Sequence, residues 1–240
     1  MGIPILVIGE SGTGKSTSIR FLENAGIINV YGKPLPFKNK LKTVNIDDCA
    51  KIVKLLQKAE SDVIVIDDFQ YLLVNQFMSR AMEKGYEKFT EMAKGYYDVI
   101  DAVRKLPEQK RVYFLSHSER DNFGNTKAKT IGKLLDEKVT VEGLFTIVLK
   151  TVVTEDKYLF QTRNSGQDTV KTPMDMFSED YIPNDLAEVD RAICEYYGLN
   201  NPPAPPAPQT TAAENKQPAT PAAAQASTKA PAGNNKGGTQ

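Results

Sequence analysis

Gly9-Glu10-Ser11-Gly12-Thr13-Gly14-Lys15-Ser16 matches the pattern G-x-x-x-x-G-K-[ST] at every fixed position. The chemistry this spacing suits is the binding of a triphosphate. Its glycines let the backbone curl so that several N–H groups converge on phosphate oxygens. A helix starting there adds its positive end. Lys15 is placed to reach the β- and γ-phosphates and the Ser16 hydroxyl to ligate Mg²⁺. Gly9 through Thr17, with Glu10, Ser11 and Thr13 among them, form the candidate nucleotide-binding stretch. The plainer alternative is a glycine-rich turn at a helix start.

Two further positions join it. Asp67 ends the apolar run Val63-Ile64-Val65-Ile66. An acid at the carboxyl end of a buried strand can hold the water shell of a Mg²⁺ ion; the alternative is a cap on the next segment. Ser116-His117 ends a third such run, Arg111 to Ser116. A polar residue there faces the γ-phosphate as a sensor, whereas a lone histidine at a strand end is otherwise structural. His117 is the only histidine.

These residues need strands to carry them. Ile3 to Ile8 is continuously apolar and ends in glycine, which predicts a strand buried on both faces of a parallel sheet. Lys15 to Asn24 reads as a helix, and Ile27–Tyr31 and Thr43–Ile46 as short strands around a loop over 32–42. Asp47 is placed to cap a helix reaching about Ala59. A long helical region follows over Asn75–Leu106, softened at Gly85 and Gly95 and stopped by Pro107. Residues 119–143 read as a polar loop. Leu144–Val153 and Lys157–Thr162 are strands joined by the turn Thr154-Glu155-Asp156, and Asn184–Tyr197 is an amphipathic helix. Strands alternating with helices predict an α/β fold: a mostly parallel central sheet flanked by helices, with a late antiparallel hairpin.

The 240 residues divide unevenly. Residues 201–240 hold eight of the fourteen prolines and no aromatic, Leu, Ile, Val or Met. Such a segment buries too little apolar surface to offset its ordering entropy, so it reads as a disordered Pro/Ala-rich tail behind a folded domain over 1–200. Lysine plus arginine equals aspartate plus glutamate, 30 each. Neutrality excludes a globally basic nucleic-acid coat, though not a local basic loop. Two cysteines and one histidine are too few for a four-ligand Cys/His zinc site. No apolar run approaches about 20 residues, so no membrane span is expected. With no secretory pattern at the N-terminus, and Leu6 breaking the myristoylation pattern, a cytoplasmic protein is expected, in a host cytoplasm if phage-encoded.

The order P-loop, Val-Ile-Asp-Asp-Phe-Gln, Phe-Leu-Ser-His, then a paired strand ending Gln161-Thr162-Arg163-Asn164-Ser165-Gly166, resembles the core ATPase of RecA/RadA-type recombinases and their replicative-helicase relatives. It looks closest to small bacteriophage-type nucleotide-binding proteins that are RecA-like cores without flanking domains. The likeness covers about Gly2 to Phe177. It implies a RecA-like P-loop NTPase that binds ATP and Mg²⁺. It makes Asp67 the Walker B acid and Asp68 the residue that polarises the attacking water, unless Asp68 serves only as a local cap. It implies that Arg163 reaches a neighbouring subunit's nucleotide, although the lysine-first pattern of RadA-like proteins is absent; otherwise Arg163 pairs with an acid such as Glu155. It implies that the loop after the third core strand, with Arg120, Lys127, Lys129 and Lys133, contacts single-stranded DNA, or else is a solvated loop. The RecA family's own activating glutamate has no clear counterpart here.

The leading expectation is therefore a Mg-ATP-dependent ATPase acting on single-stranded DNA in phage or mobile-element recombination or replication. It would assemble with itself as a ring or filament, with a single-stranded-DNA-binding or annealing protein as a further partner. The competing readings are a P-loop small-molecule kinase, for which no arginine-rich lid is visible, and a nucleotide-dependent scaffolding or packaging module.

Overall fold

The computed structural model describes residues 1–155 and 157–200; the expected tail and Asp156 lie outside the described residues. Strand β1 (Ile3–Gly9) is buried along nearly its whole length. Alternation along it explains the continuous apolar run. Leu6 and Ile8 pack into a core beneath α1 (Cys49–Lys58), α2 (Tyr71–Ser79) and α3 (Glu87–Arg104). Ile5 and Val7 pack on the other face, into a core shared with a short 3-10 helix (Ser16–Phe21) and α4 (Leu186–Tyr197). A strand covered on both faces has no side left for polar residues.

The sheet runs β3 (Lys42–Asn45), β2 (Gly26–Asn29), β4 (Val63–Asp67), β5 (Arg111–Arg120), β1, β7 (Ile147–Thr154), β8 (Lys157–Gln161), β9 (Tyr181–Pro183), with β6 (Thr126–Ala128) paired to β5 alone. The strands from β3 to β7 are parallel. The β7–β8 and β8–β9 pairs are antiparallel, so the late hairpin is present and gains a third strand. Strand β5 lies between β1, which carries the P-loop, and β4, which carries Asp67. The mostly parallel sheet with helices on both faces is the P-loop ATPase-like fold that the sequence predicts.

Several local expectations change. The segment after the P-loop is a 3-10 helix of six residues rather than an α-helix to Asn24. It ends at Phe21, because Leu22 is already extended, and its buried Ile19 packs into the core with Leu22 just beyond it. Asp48, not Asp47, caps α1: its Oδ1 accepts from the Lys51 N–H at 2.8 Å. The long helical region is two helices. Gly85 adopts φ +100° in the break, and the Lys88 ammonium caps the end of α2 by donating to the Arg80 and Glu83 carbonyls. Gly95 does not break α3. A Cβ there would stand 3.3 Å from Cys49 Sγ, so this glycine lets α1 and α3 approach closely.

The β5 strand runs four residues beyond the expected Ser116 and turns back through β6. Part of the predicted polar loop is therefore a β-hairpin. Its turn is set by Asp121, whose Oδ1 accepts from the Phe123 and Asn125 N–H groups. The buried start of β5 is joined by charge to the inner face of α4. Arg111 donates to both oxygens of Asp190 at 2.7 and 2.8 Å, and the Tyr113 hydroxyl donates to the same carboxylate at 2.6 Å. Both charged residues are about 1% exposed or less. Removing one partner of such a pair strands the other, at a cost of about 3–5 kcal/mol.

Candidate active site

The carboxyl ends of β1, β4 and β5 converge. Gly9 is in register with His117, and Asp67 closes β4 next to β5. Gly9 must be glycine: a Cβ there would fall 1.8 Å from Thr151 Oγ1 on β7. Gly12 and Gly14 take φ of +80° and +93°, the curl that the motif needs. The Thr13 hydroxyl ties the loop down, donating to the Glu10 carbonyl at 2.8 Å and meeting Thr151 Oγ1 at 2.5 Å.

Lys15 is buried, and its ammonium donates to the Gly9 and Glu10 carbonyls at 2.9 and 2.7 Å. The cation is thus held inside the loop, over the space that the glycines frame. Burial pulls its pKa down to about 8, against the opposing pull of Asp68 and Asp67. Ser16 Oγ donates to Asp67 Oδ1 at 3.0 Å. Two strand spacings separate β1 from β4, about 10 Å in all. The loop carries the chain from β1 toward β4, so that Ser16 at its end meets Asp67. Burial first, and the neighbouring Asp68 second, push the Asp67 pKa up to about 6. A serine hydroxyl held to a buried carboxylate fits a divalent cation, with Ser16 as ligand and Asp67 holding its water shell.

Asp68 is a buried, non-glycine residue at φ +58°. That conformation is costly and tends to occur where a side chain must be aimed. Its carboxylate is 2.7 Å from the Lys33 ammonium and 3.8 Å from His117 Nε2. Burial and then Lys15 lower the His117 pKa below its usual value, so at pH 7 the ring is a neutral hydrogen-bonding group. Its ring stands edge-on to Tyr71. Lys15, Ser16, Asp67, Asp68 and His117 thus form one cluster.

Lys33 belongs to that cluster too, although the sequence places it only in the loop over 32–42. The Asn29 side chain at the end of β2 shapes the turn that presents it, accepting from the Gly32 N–H and donating to the Lys33 carbonyl. The Lys33 ammonium also lies over the rings of Tyr31 and Tyr71, 5.4 and 5.7 Å from their centroids. The available signal is the Asn-Val-Tyr-Gly turn after a short strand, which fixes a loop but not its neighbour.

Arg163 is not in the cluster. It is exposed and pairs with Asp180 at 2.8 Å, rather than with Glu155, and also donates to the Ser178 carbonyl. The four basic residues past β5 divide. Lys127 is engaged by Asp136 and Glu119, while Arg120, Lys129 and Lys133 lie at the surface. At the hairpin tip between Arg120 and Lys127, Phe123 is 91% exposed.

The two shifted groups set a pH window. Asp67 becomes an anion only above about 6, and Lys15 keeps its charge only below about 8. Mg-ATP affinity is therefore expected to peak between those values and fall on both sides. Bound phosphates restore the lysine's charge, so binding at pH 8 should take up about half a proton. Titration calorimetry in buffers of different ionisation enthalpy measures both. A flat profile from pH 5 to 9 would remove Lys15 and Asp67 from the binding chemistry.

Residues 1–175 match a family model described as AAA domain. No curated protein matches the sequence. Among solved structures, the ATPase DotB of Legionella pneumophila is similar over 69% of this chain and 47% of its own, at 10% identity and a TM-score of 0.32. The chain thus spans less than half the length of that protein. No helix among the described residues is long and apolar enough to cross a membrane.

Proposed function

The chain belongs to the AAA domain family, and from that premise we propose that it hydrolyses Mg-ATP at the Lys15–Asp67 cluster and couples turnover to single-stranded DNA. The observation that carries the ATPase reading is the Ser16–Asp67 contact reached across an intervening β5. It sets the Ser16 hydroxyl on a buried acid, next in sequence to the buried Lys15 on one side and to Asp68 on the other, which supports a Mg-ATP site. Lys15 binds and neutralises the β- and γ-phosphates. Mg²⁺, when bound, screens the charge that builds on the transferring phosphoryl group. Asp68 is the acid placed to orient the attacking water, Lys33 holds its carboxylate, and His117 beside it is the neutral sensor of the γ-phosphate. Gly9, Glu10, Ser11, Gly12, Thr13, Gly14 and Thr17 complete the phosphate cradle.

The DNA reading rests on β5 being one continuous strand from His117 to Arg120. A change at the γ-phosphate is thereby in direct covalent and ladder contact with the hairpin. The hairpin's outer surface offers Arg120, Lys129 and the ring of Phe123, a cationic and stacking surface suited to an unpaired strand. We further propose the RecA-like mode of action inferred from the sequence: self-assembly as a ring or filament in phage or mobile-element recombination or replication, with a single-stranded-DNA-binding or annealing protein as collaborator.

Phosphate release with and without single-stranded DNA tests both halves. Mg-dependent release that rises with DNA is the expected result. Arg120→Ala with Lys129→Ala should reduce the slope of log K against log salt by about 0.7 for each phosphate that is no longer neutralised. Lys127→Ala should change it less, because Lys127 already faces two carboxylates. Release that ignores DNA, with an unaltered slope, would return the hairpin to a solvated surface. Nucleotide binding without turnover would instead favour the scaffolding module, and turnover only with a small acceptor the kinase.

A further inference from the structure

The nucleotide cluster lies at the carboxyl ends of the strands. At the opposite end, where β2 and β3 begin, the edge of the sheet and α1 enclose a cavity of about 650 Å³. Such a volume suffices to enclose a bulky apolar group, since sites that hold whole organic ligands run from roughly 300 to 1,000 Å³. Gly26, Ile28 and Ile64 supply the sheet side of the lining, Leu55 and Leu56 the α1 side, and Val44 the edge strand. The cavity is preformed, because the turn before β4 is held in place. Lys110 donates to the Glu60 and Ser61 carbonyls at 2.8 Å each, and the Ser61 hydroxyl meets the Asn24 and Val63 carbonyls.

Gly26 keeps the space open. Its register partners are Lys42 and Ile64, and both line the cavity. A Cβ on Gly26 would meet nothing nearer than Ser61 Cβ at 4.0 Å, and its φ is not positive. No turn and no close approach requires glycine here, and a glycine inside a strand weakens it. What the missing side chain leaves is room.

The rim is cationic. Lys40, Lys42 and Lys58 line the cavity and are exposed, against the single acid Glu60. Among the described residues none of these three lysines has an ion-pair partner. They belong to a stretch, 38–58, with six lysines and two acids, in a chain whose charges otherwise balance. Beside the cavity runs β3, whose four residues are all exposed and which has a strand neighbour on one side only among the described residues. Its outer edge is free to pair with another extended chain.

We propose that this groove docks an acidic, extended segment of another protein, which adds along β3 and places one apolar side chain in the cavity. The backbone edge supplies affinity, the cavity selects the side chain, and the lysines select the charge. The chain's own residues 201–240 do not fit, with three lysines, one glutamate and no large apolar residue. A second copy meeting edge to edge would bring lysines against lysines. The proposal does not rest on the Mg-ATP reading, because no residue of the nucleotide cluster lines the groove.

The test is fluorescence polarisation on the full chain with labelled pentapeptides of glutamate and aspartate that carry Ala, Val, Leu, Ile, Met or Phe at the centre. The best large apolar centre should bind about 10- to 100-fold tighter than the alanine centre, the gain from burying one such side chain. Gly26→Leu fills the cavity and should abolish that difference. Its melting temperature should stay level or rise, since a strand loses a glycine and gains an apolar contact. Lys40→Glu with Lys42→Glu and Lys58→Glu should weaken every peptide by about tenfold or more, and added salt should weaken binding to the unaltered protein. Should Gly26→Leu melt early, the peptide series and the lysine reversal decide without it. Binding by none of the peptides would overturn the proposal, as would equal binding of all centres or a filled cavity that changes nothing. Self-association of the unaltered protein that Gly26→Leu breaks would give the groove to a second copy. Loss of single-stranded DNA binding in the lysine reversal, with peptide binding intact, would give the rim to nucleic acid. Either result overturns the proposal as well.

Discussion

Lys15→Ala should lower ATP turnover by at least about 10²–10³-fold, the deficit that follows removal of one preorganised charge-stabilising group from a water-poor site. The expected deficit is at the upper end, because Lys15 carries a full charge and is buried. Among the described residues its ammonium donates to the Gly9 and Glu10 carbonyls, within its own loop. Truncation therefore leaves both apolar cores intact, and the melting temperature should move by no more than a few degrees. The variant should also bind a non-hydrolysable ATP analogue far more weakly. Calorimetry and phosphate release read the two effects separately. Undiminished affinity together with undiminished turnover would sink the P-loop assignment.

The parts of this site legible in sequence are those where chemistry constrains a contiguous stretch. Gly12 and Gly14 are needed for the loop's curl, Gly9 for its close approach to Thr151, and Asp67 sits where a buried strand must end. Lys33 is not legible, because an ion pair between residues 33 and 68 depends on β2 lying beside β4. No local pattern encodes that neighbour. The hairpin past His117 reads as loop because Ser118, Glu119 and Arg120 are polar and have little apolar surface to reveal a strand. Their strand conformation comes from pairing with β6, and Asp121–Gly124 is the turn signal that marks it. The Arg111–Asp190 pair is equally invisible, since charged residues ordinarily read as surface.

Arg163→Ala should reduce turnover by about 10³-fold or more if Arg163 acts as a trans finger, the scale seen when such a residue is supplied to a γ-phosphate. Its own P-loop is out of reach. Lys150 is level with both Ile8 and Gln161, and β8 runs antiparallel to β1. Two residues past Gln161, the chain has moved back toward the amino end of β1. That places Arg163 about 10 Å along the strand direction from Gly9, and two strands to the side, about another 10 Å. The acids that mark the γ-phosphate are farther still, beyond β1 on β4. A role at the reaction therefore requires a neighbouring subunit. The cost of release from its present partner is small, because the Arg163–Asp180 pair is more than half exposed at both ends and such pairs contribute at most about 1 kcal/mol. The variant alone should keep its ATP affinity, since its P-loop is untouched. Mixed with Lys15→Ala protein, it should recover part of the missing turnover, because some interfaces then pair an intact P-loop with an intact Arg163. Titrating the two variants against each other and following phosphate release gives the answer. No recovery at any ratio, or normal turnover in Arg163→Ala alone, would leave Arg163 as a surface residue tied to Asp180.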